Sequence, residues 1–305
     1  MPRPPDLRPP VLILAALLMA ATVVAALLLS GGAGQHSRAT AAGRAGPPPP
    51  DAVLPVTPQL VAGELTETTR ALRKAIDAWT ARGDPRRELP PQDLVLLAMH
   101  QQRLYFSMAS AMRLGDAALA LLPADVRDEA ADTVAARRAL ADIPGGDRDD
   151  EDEPPPIRTG PPEPPGLLRE HYDRAQERFG VRWELLAAVN LVESGFGRLR
   201  NSSVAGARGP MQFIPSTWET YGMGGDIDDP RDAILGAASY LSASGAPEDQ
   251  EAALFAYNRS TSYVEAVSRH AEAIDSDPRH FYALYAWQVY VAGPGGVRRI
   301  TGPGL

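Results

Sequence analysis

The chain has 305 residues, a formal net charge of −8 and no cysteine. The negative charge argues against a nucleic-acid-binding protein, which carries a basic patch or stripe, and the lack of cysteine excludes disulfides, thiolate metal sites and cysteine nucleophiles. Prolines and glycines are clustered along the chain, which predicts one or two folded segments joined by linkers.

Residues 1–30 contain a long apolar stretch, VLILAALLMAATVVAALLLS at 11–30. Its length suits a helix that crosses a bilayer, which needs about 20 apolar residues, whereas the apolar core of a signal peptide has about 7–15. We therefore predict a cytoplasmic stub and a transmembrane anchor. A signal segment cleaved near the small residues ATAA at 39–42 is the alternative. In both cases we expect the rest of the chain on the extracytoplasmic face of the cell envelope, held by a single span or secreted.

Residues 31–57 are rich in Pro, Gly and Ala, which predicts an extended linker. Residues 58–143 contain three runs with apolar residues at helical spacing, which predicts a small antiparallel bundle. Its role is not evident from the sequence, and binding of an envelope protein partner is one candidate. Five Met and aromatic positions of the second run fit such a partner face, although ordinary core packing is the favoured interpretation. These positions are Met99, Tyr105, Phe106, Met108 and Met112.

The remainder of the chain divides into a linker, a second compact segment and a tail. Residues 144–166 are acidic and Pro-rich, which is typical of a solvated linker. Residues 167–292 show helical periodicity and no convincing strand alternation. Residues 293–305 are rich in glycine and are predicted to be a loose tail. The expected fold class is therefore all-α.

Glu193 is a lone acid near the end of the apolar run LLAAVNLVESGFG. On a helix it shares a face with Trp183, Leu186 and Val189, so its carboxyl is expected to be desolvated. Gly195 is a natural C-cap, which places the acid beside the negative end of the helix dipole. Both effects raise the pKa of a carboxyl and keep it protonated near neutral pH, as general acid catalysis requires. A glutamate that simply ends a helix in water is the alternative.

Two later segments also carry polar and aromatic residues suited to a binding cleft. In SSVAGARGPMQFIPSTW at 202–218, Gly206 and Gly209 permit tight turns or a close approach to a ligand. Gln212 offers both a donor and an acceptor, as sugar hydroxyl and amide groups demand. The sequence FAYNRS at 255–260 follows at the end of another helical run. Each of these features alone is also compatible with a turn or a packed aromatic.

Taken together, three motifs in residues 167–292 resemble a lytic transglycosylase of the soluble-transglycosylase type, with a catalytic domain similar to goose-type lysozyme. They are Glu-Ser at 193–194, S-x-x-G-A-x-G-P-M-Q-F at 203–213 and A-Y-N at 256–258. The forms GPMQFIPSTW and ALFAYN particularly resemble exported murein transglycosylases of actinobacteria.

This resemblance implies a lysozyme-like, all-helical catalytic domain with a cleft for the glycan strands of peptidoglycan. Glu193 would be the single catalytic acid/base, cleaving the bond between N-acetylmuramic acid (MurNAc) and N-acetylglucosamine (GlcNAc) and leaving 1,6-anhydromuramyl ends. Tyr257 would be a candidate to hydrogen-bond Glu193. The residues implied to line the cleft are Ser203, Met211, Gln212, Tyr257 and Asn258.

No cofactor or metal ion is predicted. Some relatives bind calcium through regularly spaced acids, but Asp226, Asp228 and Asp229 are too few and too irregular for such a site. Two other functions remain open. A muramidase-type hydrolase of the same fold would need a second group to position water, and these three aspartates are the only acids in a plausible loop. A non-catalytic glycan-binding envelope module would use the cleft without turnover.

Overall fold

A computed structural model describes residues 46–143, 156–293 and 296–305. The anchor or signal segment predicted for residues 1–30 lies outside these ranges. Within them, no helix combines the length and the apolar character that crossing a membrane requires. The described residues are mostly helical, in agreement with the predicted class.

The N-terminal part of the described chain forms four helices, where three were predicted. The second predicted run divides at Ala111, whose φ of −100° and ψ of 78° are not helical. Gly115 makes the tight turn possible, because a Cβ at this position would overlap the carbonyl oxygen of Met108. The four helices are α1 (Pro58–Arg82), α2 (Gln92–Ser110), α3 (Met112–Leu121) and α4 (Ala124–Ala141).

Most of the five Met and aromatic positions, for which the sequence allowed either core packing or a partner-binding face, are buried. Met99, Tyr105, Phe106 and Met108 are all buried, whereas Met112 is exposed. Four of these five positions therefore belong to the core, as the favoured interpretation predicted.

The second helical part begins at Pro165. It contains seven helices and one hairpin in the described residues. They are α5 (Pro165–Phe179), α6 (Trp183–Ser194), α7 (Pro215–Tyr221), α8 (Pro230–Ala243), α9 (Gln250–Tyr257), α10 (Thr261–Ser276), α11 (Arg279–Tyr285), β1 (Tyr290–Gly293) and β2 (Gly296–Arg299).

The C-terminal tail differs from its predicted loose state, because β1 and β2 pair in antiparallel register. The amide of Ile300 donates to the carbonyl oxygen of Val289 at 2.9 Å, and Val289 packs in a small apolar cluster with Leu199. These contacts attach the hairpin to the helices. Each strand has only four residues, which is too short for an alternating pattern to stand out in the sequence.

One hydrophobic core runs through both helical parts. The side-chain amide of Gln102 on α2 pairs with the backbone of Gln288. Its Nε2 donates to the Gln288 carbonyl at 2.8 Å and its Oε1 accepts from the Gln288 amide at 3.0 Å. At the start of α5, the amide of Gly166 donates to the carbonyl of Pro85 at 2.8 Å. Residues 58–143 therefore share their core with the helices that follow.

Helix α10 lies between the two parts. Its most extensive helix contact is with α4, and it also packs against α6. Ser260 caps its N-terminus by accepting a hydrogen bond from the amide of Tyr263 at 3.2 Å. Tyr263 therefore sits in the first turn, and its buried side chain reaches α6.

We expect Gly166→Ala to lower the free energy of unfolding by about 2 kcal/mol, because the added methyl would lie within 3 Å of the Pro85 and Arg86 backbone. Gly63→Ala is the matched control. Gly63 lies on the exposed side of α1 with no atom near its missing Cβ, so this change should stabilise the protein by about 0.5–1 kcal/mol. Urea denaturation of both variants measures the difference. Equal stability of the two would contradict the close docking of α5 on the α1–α2 loop.

Candidate active site

Helix α6 is the structural centre of the candidate site, and every one of its residues is buried. The helix ends at Gly195, whose φ of 59° is left-handed and whose amide donates to the carbonyl of Leu191 at 2.9 Å. Glu193 therefore lies in the last turn, as the sequence predicted. This position is unfavourable for a negative charge, because the unpaired carbonyl oxygens at the end of the helix form the negative end of its dipole.

The Glu193 carboxyl is almost fully enclosed, with only 6% of the residue exposed. Burial raises its pKa to about 8, although a hydrogen bond from Tyr263 works in the opposite direction. The Tyr263 hydroxyl donates to Oε1 of Glu193 at 2.7 Å. The group is therefore mostly protonated at neutral pH, held in one orientation, and able to give up its proton.

The tyrosine that orients Glu193 is Tyr263, so the expectation for Tyr257 was wrong. The Tyr257 hydroxyl donates to the carbonyl of Met211 at 2.6 Å instead. The two tyrosine rings are stacked, with centroids 6.5 Å apart and planes 6° from parallel. Tyr263 was missed because its sequence signal, the third position after the helix cap Ser260, says nothing about which distant helix the side chain meets.

The last turn of α6 is tied to the glycine-rich segment through one carbonyl oxygen. Pro210 O accepts from the Ser194 hydroxyl at 2.5 Å and from the Asn190 side-chain amide at 2.9 Å. Asn190 in turn accepts from the Tyr172 hydroxyl at 2.9 Å. Because Ser194 follows Glu193 directly, these bonds fix the glycine-rich segment beside the acid.

The glycine-rich segment forms a tight loop whose ends pair at Arg208 and Phe213. Gly209 has a φ of 75°, and a Cβ there would overlap the carbonyl oxygen of Ile227, so the position accepts only glycine. Gln212 has a φ of 49°, and its side-chain amide donates to the Gly209 carbonyl at 2.9 Å. The loop is therefore locked by its own hydrogen bonds.

Four of the five predicted cleft residues fall into two groups. Met211 and Tyr257 join the chain of contacts that runs through Tyr263 to Glu193, and the Met211 side chain is fully buried. Ser203 and Asn258 serve local turns: the Ser203 hydroxyl accepts from the Ala207 amide at 3.0 Å, and Asn258 caps α9. Gln212 is 5% exposed and belongs to the loop beside the acid.

The three loop aspartates each have a local partner. Asp228 pairs with Arg208 at 2.6 Å, Asp229 caps α8 by accepting from the Asp232 amide at 3.0 Å, and Asp226 accepts from the Asp228 amide at 2.9 Å. Within the described ranges, His, Asp and Glu side chains form no group of three or more able to hold a metal ion.

We expect Glu193→Gln to stabilise the protein increasingly as the pH rises. Below pH 4.5 the carboxyl is protonated in both the folded and the unfolded chain. Between pH 4.5 and about 8 only the unfolded chain releases its proton, so the wild type loses stability that the amide keeps. The difference should reach roughly 3 kcal/mol at pH 7. Chemical denaturation at pH 5, 6, 7 and 8 measures it, with Glu219→Gln at an exposed position of α7 as the control. A difference that does not change with pH would contradict the raised pKa.

Comparison with known proteins shows what residues 170–278 are similar to. Residues 170–278 match the family model of the Transglycosylase SLT domain. The membrane-bound lytic murein transglycosylase F of Thiobacillus denitrificans is 36% identical over 119 residues, which cover 36% of this chain and 25% of the relative. The membrane-bound lytic murein transglycosylase F 1 of Alkalilimnicola ehrlichii is 33% identical over 124 residues, covering 38% and 25%.

The chain thus spans about a quarter of the length of the curated relatives it matches. No solved structure matches it significantly. The particular likeness to actinobacterial enzymes stays a prediction. Over residues 170–278, however, the chain is similar to Transglycosylase SLT domains and to lytic murein transglycosylases, which confirms the resemblance drawn from its three motifs.

Proposed function

We propose that this protein is a peptidoglycan lytic transglycosylase with a lysozyme-like catalytic domain. It cleaves the β-1,4 bond between MurNAc and GlcNAc and leaves 1,6-anhydromuramyl ends, with Glu193 as the single acid/base. The observation that carries the proposal is the buried Glu193 carboxyl, whose pKa of about 8 keeps a proton available at neutral pH. The similarity of residues 170–278 to SLT domains supports the substrate class.

The reaction needs one proton donor that then becomes a base. Glu193 gives its proton to the glycosidic oxygen while the bond from the muramyl anomeric carbon to that oxygen breaks. The resulting carboxylate takes the proton of the muramyl 6-hydroxyl, whose oxygen forms the new bond to the anomeric carbon. Glu193 ends protonated, and no water is consumed. Most glycosidases use two carboxylates; here the substrate's N-acetyl group or the dipoles of the pocket would stabilise the oxocarbenium-like intermediate.

Tyr263 gives the acid a defined orientation. Its hydroxyl occupies Oε1 of Glu193, so the transferable proton is expected on Oε2. The same hydrogen bond becomes stronger when Glu193 is ionised, because a charged acceptor binds a donor more tightly than a neutral one. Tyr263 therefore stabilises the carboxylate that forms during bond cleavage.

The cleft is proposed to be lined by Ser203, Met211, Gln212, Tyr257 and Asn258. Support comes from the Pro210 carbonyl, which ties the glycine-rich loop to the helix turn that carries the acid. Met211 would contribute its backbone rather than its side chain, since that side chain is fully buried.

The hydrolase alternative is less well supported. It requires a second group to position water, and the three loop aspartates are occupied as an ion-pair partner, a helix cap and a turn acceptor. The glycan-binding module needs no buried acid at all, and such an acid reduces stability without serving binding. The presence of the buried Glu193 carboxyl therefore favours an enzyme.

The first test is mass spectrometry of the muropeptides released from purified peptidoglycan. We expect products with anhydro ends, lighter than reducing ends by one water, and we expect them to be absent with Glu193→Gln. Reducing ends would identify a hydrolase. Equal binding of peptidoglycan by the wild type and the variant without any cleavage would identify a binding module.

We expect Tyr263→Phe to lower kcat roughly 10- to 100-fold, because the carboxyl loses its orienting donor. Since the Tyr263 hydrogen bond lowers the pKa of Glu193, its loss should also move the basic limb of the pH–rate profile to higher pH. Tyr257→Phe is the matched control: the ring is stacked on Tyr263, but its hydroxyl bonds to Met211. This control should leave the limb in place. A limb that moves equally in both variants would contradict the role of Tyr263.

The enzyme would act in the cell envelope, where its substrate lies. We propose that residues 11–30 anchor it to the membrane as a single span, with the catalytic part outside. Recovery of the mature protein from the culture medium would favour the cleaved-signal alternative. An envelope partner, if residues 58–143 bind one, would contact the outer faces of α1–α4, because the inner faces are occupied by the shared core.

A further inference from the structure

We propose that residues 58–143 position the catalytic acid, with α4 holding α10 in the place from which Tyr263 reaches Glu193. That Glu193 is catalytic rests on the proposed function, whereas the effect of α4 on the position of Tyr263 does not depend on it. It assigns a role to a part of the chain that lies outside the segment matched by the SLT family, residues 170–278.

Helix α10 connects α4 to the end of α6 that carries Glu193. It packs against both α4 and α6, and its first turn carries the tyrosine that bonds Glu193. A helix of about four turns moves as a rigid unit. A change in how α10 packs on α4 therefore also displaces Tyr263. An orienting hydrogen bond of 2.7 Å leaves little room for such a shift.

An ion pair crosses the contact between α4 and α10. Asp132 on α4 lies 2.9 Å from Nη1 of Arg269 on α10, and both side chains are partly buried. Arg269 lies six residues after Tyr263 on α10. The pair therefore links α10 directly to α4 at this point.

A second set of contacts clamps the corner between α10 and α11. Glu129 on α4 is 7% exposed, and its Oε1 lies 3.1 Å from Nδ1 of His280 on α11. Its Oε2 accepts from Arg73 on α1 at 2.7 Å, and Arg73 also lies 3.2 Å from Asp277. The Tyr105 hydroxyl of α2 donates to Oε1 at 3.2 Å.

Glu129 is thus the point where α1, α2 and α4 meet the α10–α11 corner. Its burial opposes ionisation, yet His280 and Arg73 lower its pKa to about 2. The Glu129 carboxyl is therefore ionised near neutral pH, and both of its oxygens have partners. Neutralising it takes from the partly buried Arg73 guanidinium one of its two carboxylate partners, which favours a rearrangement of the corner.

The alternative is that the bundle only adds stability, without any effect on the geometry at Glu193. A positioning role and a purely stabilising role of the bundle differ in a measurable way. Loss of stability alone leaves the folded molecules unchanged, whereas a displaced Tyr263 weakens its bond to Glu193. Because that bond lowers the pKa of Glu193, the displacement raises the pKa in every folded molecule.

The test uses Glu129→Gln in the full chain, with Asp125→Asn as the matched control. Asp125 lies one turn earlier on the same helix and pairs with Arg70 at the exposed side of the bundle. For Glu129→Gln we expect kcat about tenfold lower with KM changed less than about twofold. We also expect the Glu193 carboxyl ¹³C resonance to titrate about half a unit or more higher. Asp125→Asn should match the wild type in both measurements.

A second variant keeps the test decisive if Glu129→Gln does not fold. Asp132→Asn removes the partly exposed partner of Arg269 and should shift the Glu193 titration in the same direction by a smaller amount. Unchanged titration in a folded Glu129→Gln or, failing that, in Asp132→Asn would overturn the inference, as would an equal shift in Asp125→Asn. The titration needs no substrate, so absence of cleavage by the wild type would refute the proposed function and leave this result standing.

Discussion

A protonated carboxyl enclosed at the end of a buried helix is the constraint on which the rest of this structure depends. Glu193 is unfavourable there in its charged form, both because water is excluded and because the helix end presents carbonyl oxygens. The protein accommodates the group by keeping its proton to about pH 8. The same desolvation makes the proton available for transfer, so the destabilising feature and the proposed chemistry have one cause.

The surrounding architecture holds the acid from three directions. Helix α6 supplies the position and is buried along its whole length. Helix α10 supplies the Tyr263 hydroxyl, and the glycine-rich loop is tied alongside through the Pro210 carbonyl. Because α10 also rests on α4, the precision of the site extends into residues 58–143.

The sequence predicted the local features of the site well and its long-range contacts poorly. The position of Glu193 follows from the apolar run before it and the Gly195 cap after it, both of which act over a few residues. Tyr263 could not be identified in the same way, because the bond joins residues 70 apart and depends on how two helices pack. The short C-terminal hairpin was not predicted for a related reason. It is stabilised by contacts with the rest of the chain rather than by a pattern in its own strands.

Difference infrared spectroscopy between the wild type and Glu193→Gln tests the central claim most directly, because a protonated carboxylic acid and a carboxylate absorb at different frequencies. The account predicts that the protonated band of Glu193 is present at pH 6 and is lost as the pH rises through about 8. A band that has already disappeared by pH 6 would show an ionised carboxylate at neutral pH. That result would contradict Glu193 as the general acid in its resting state.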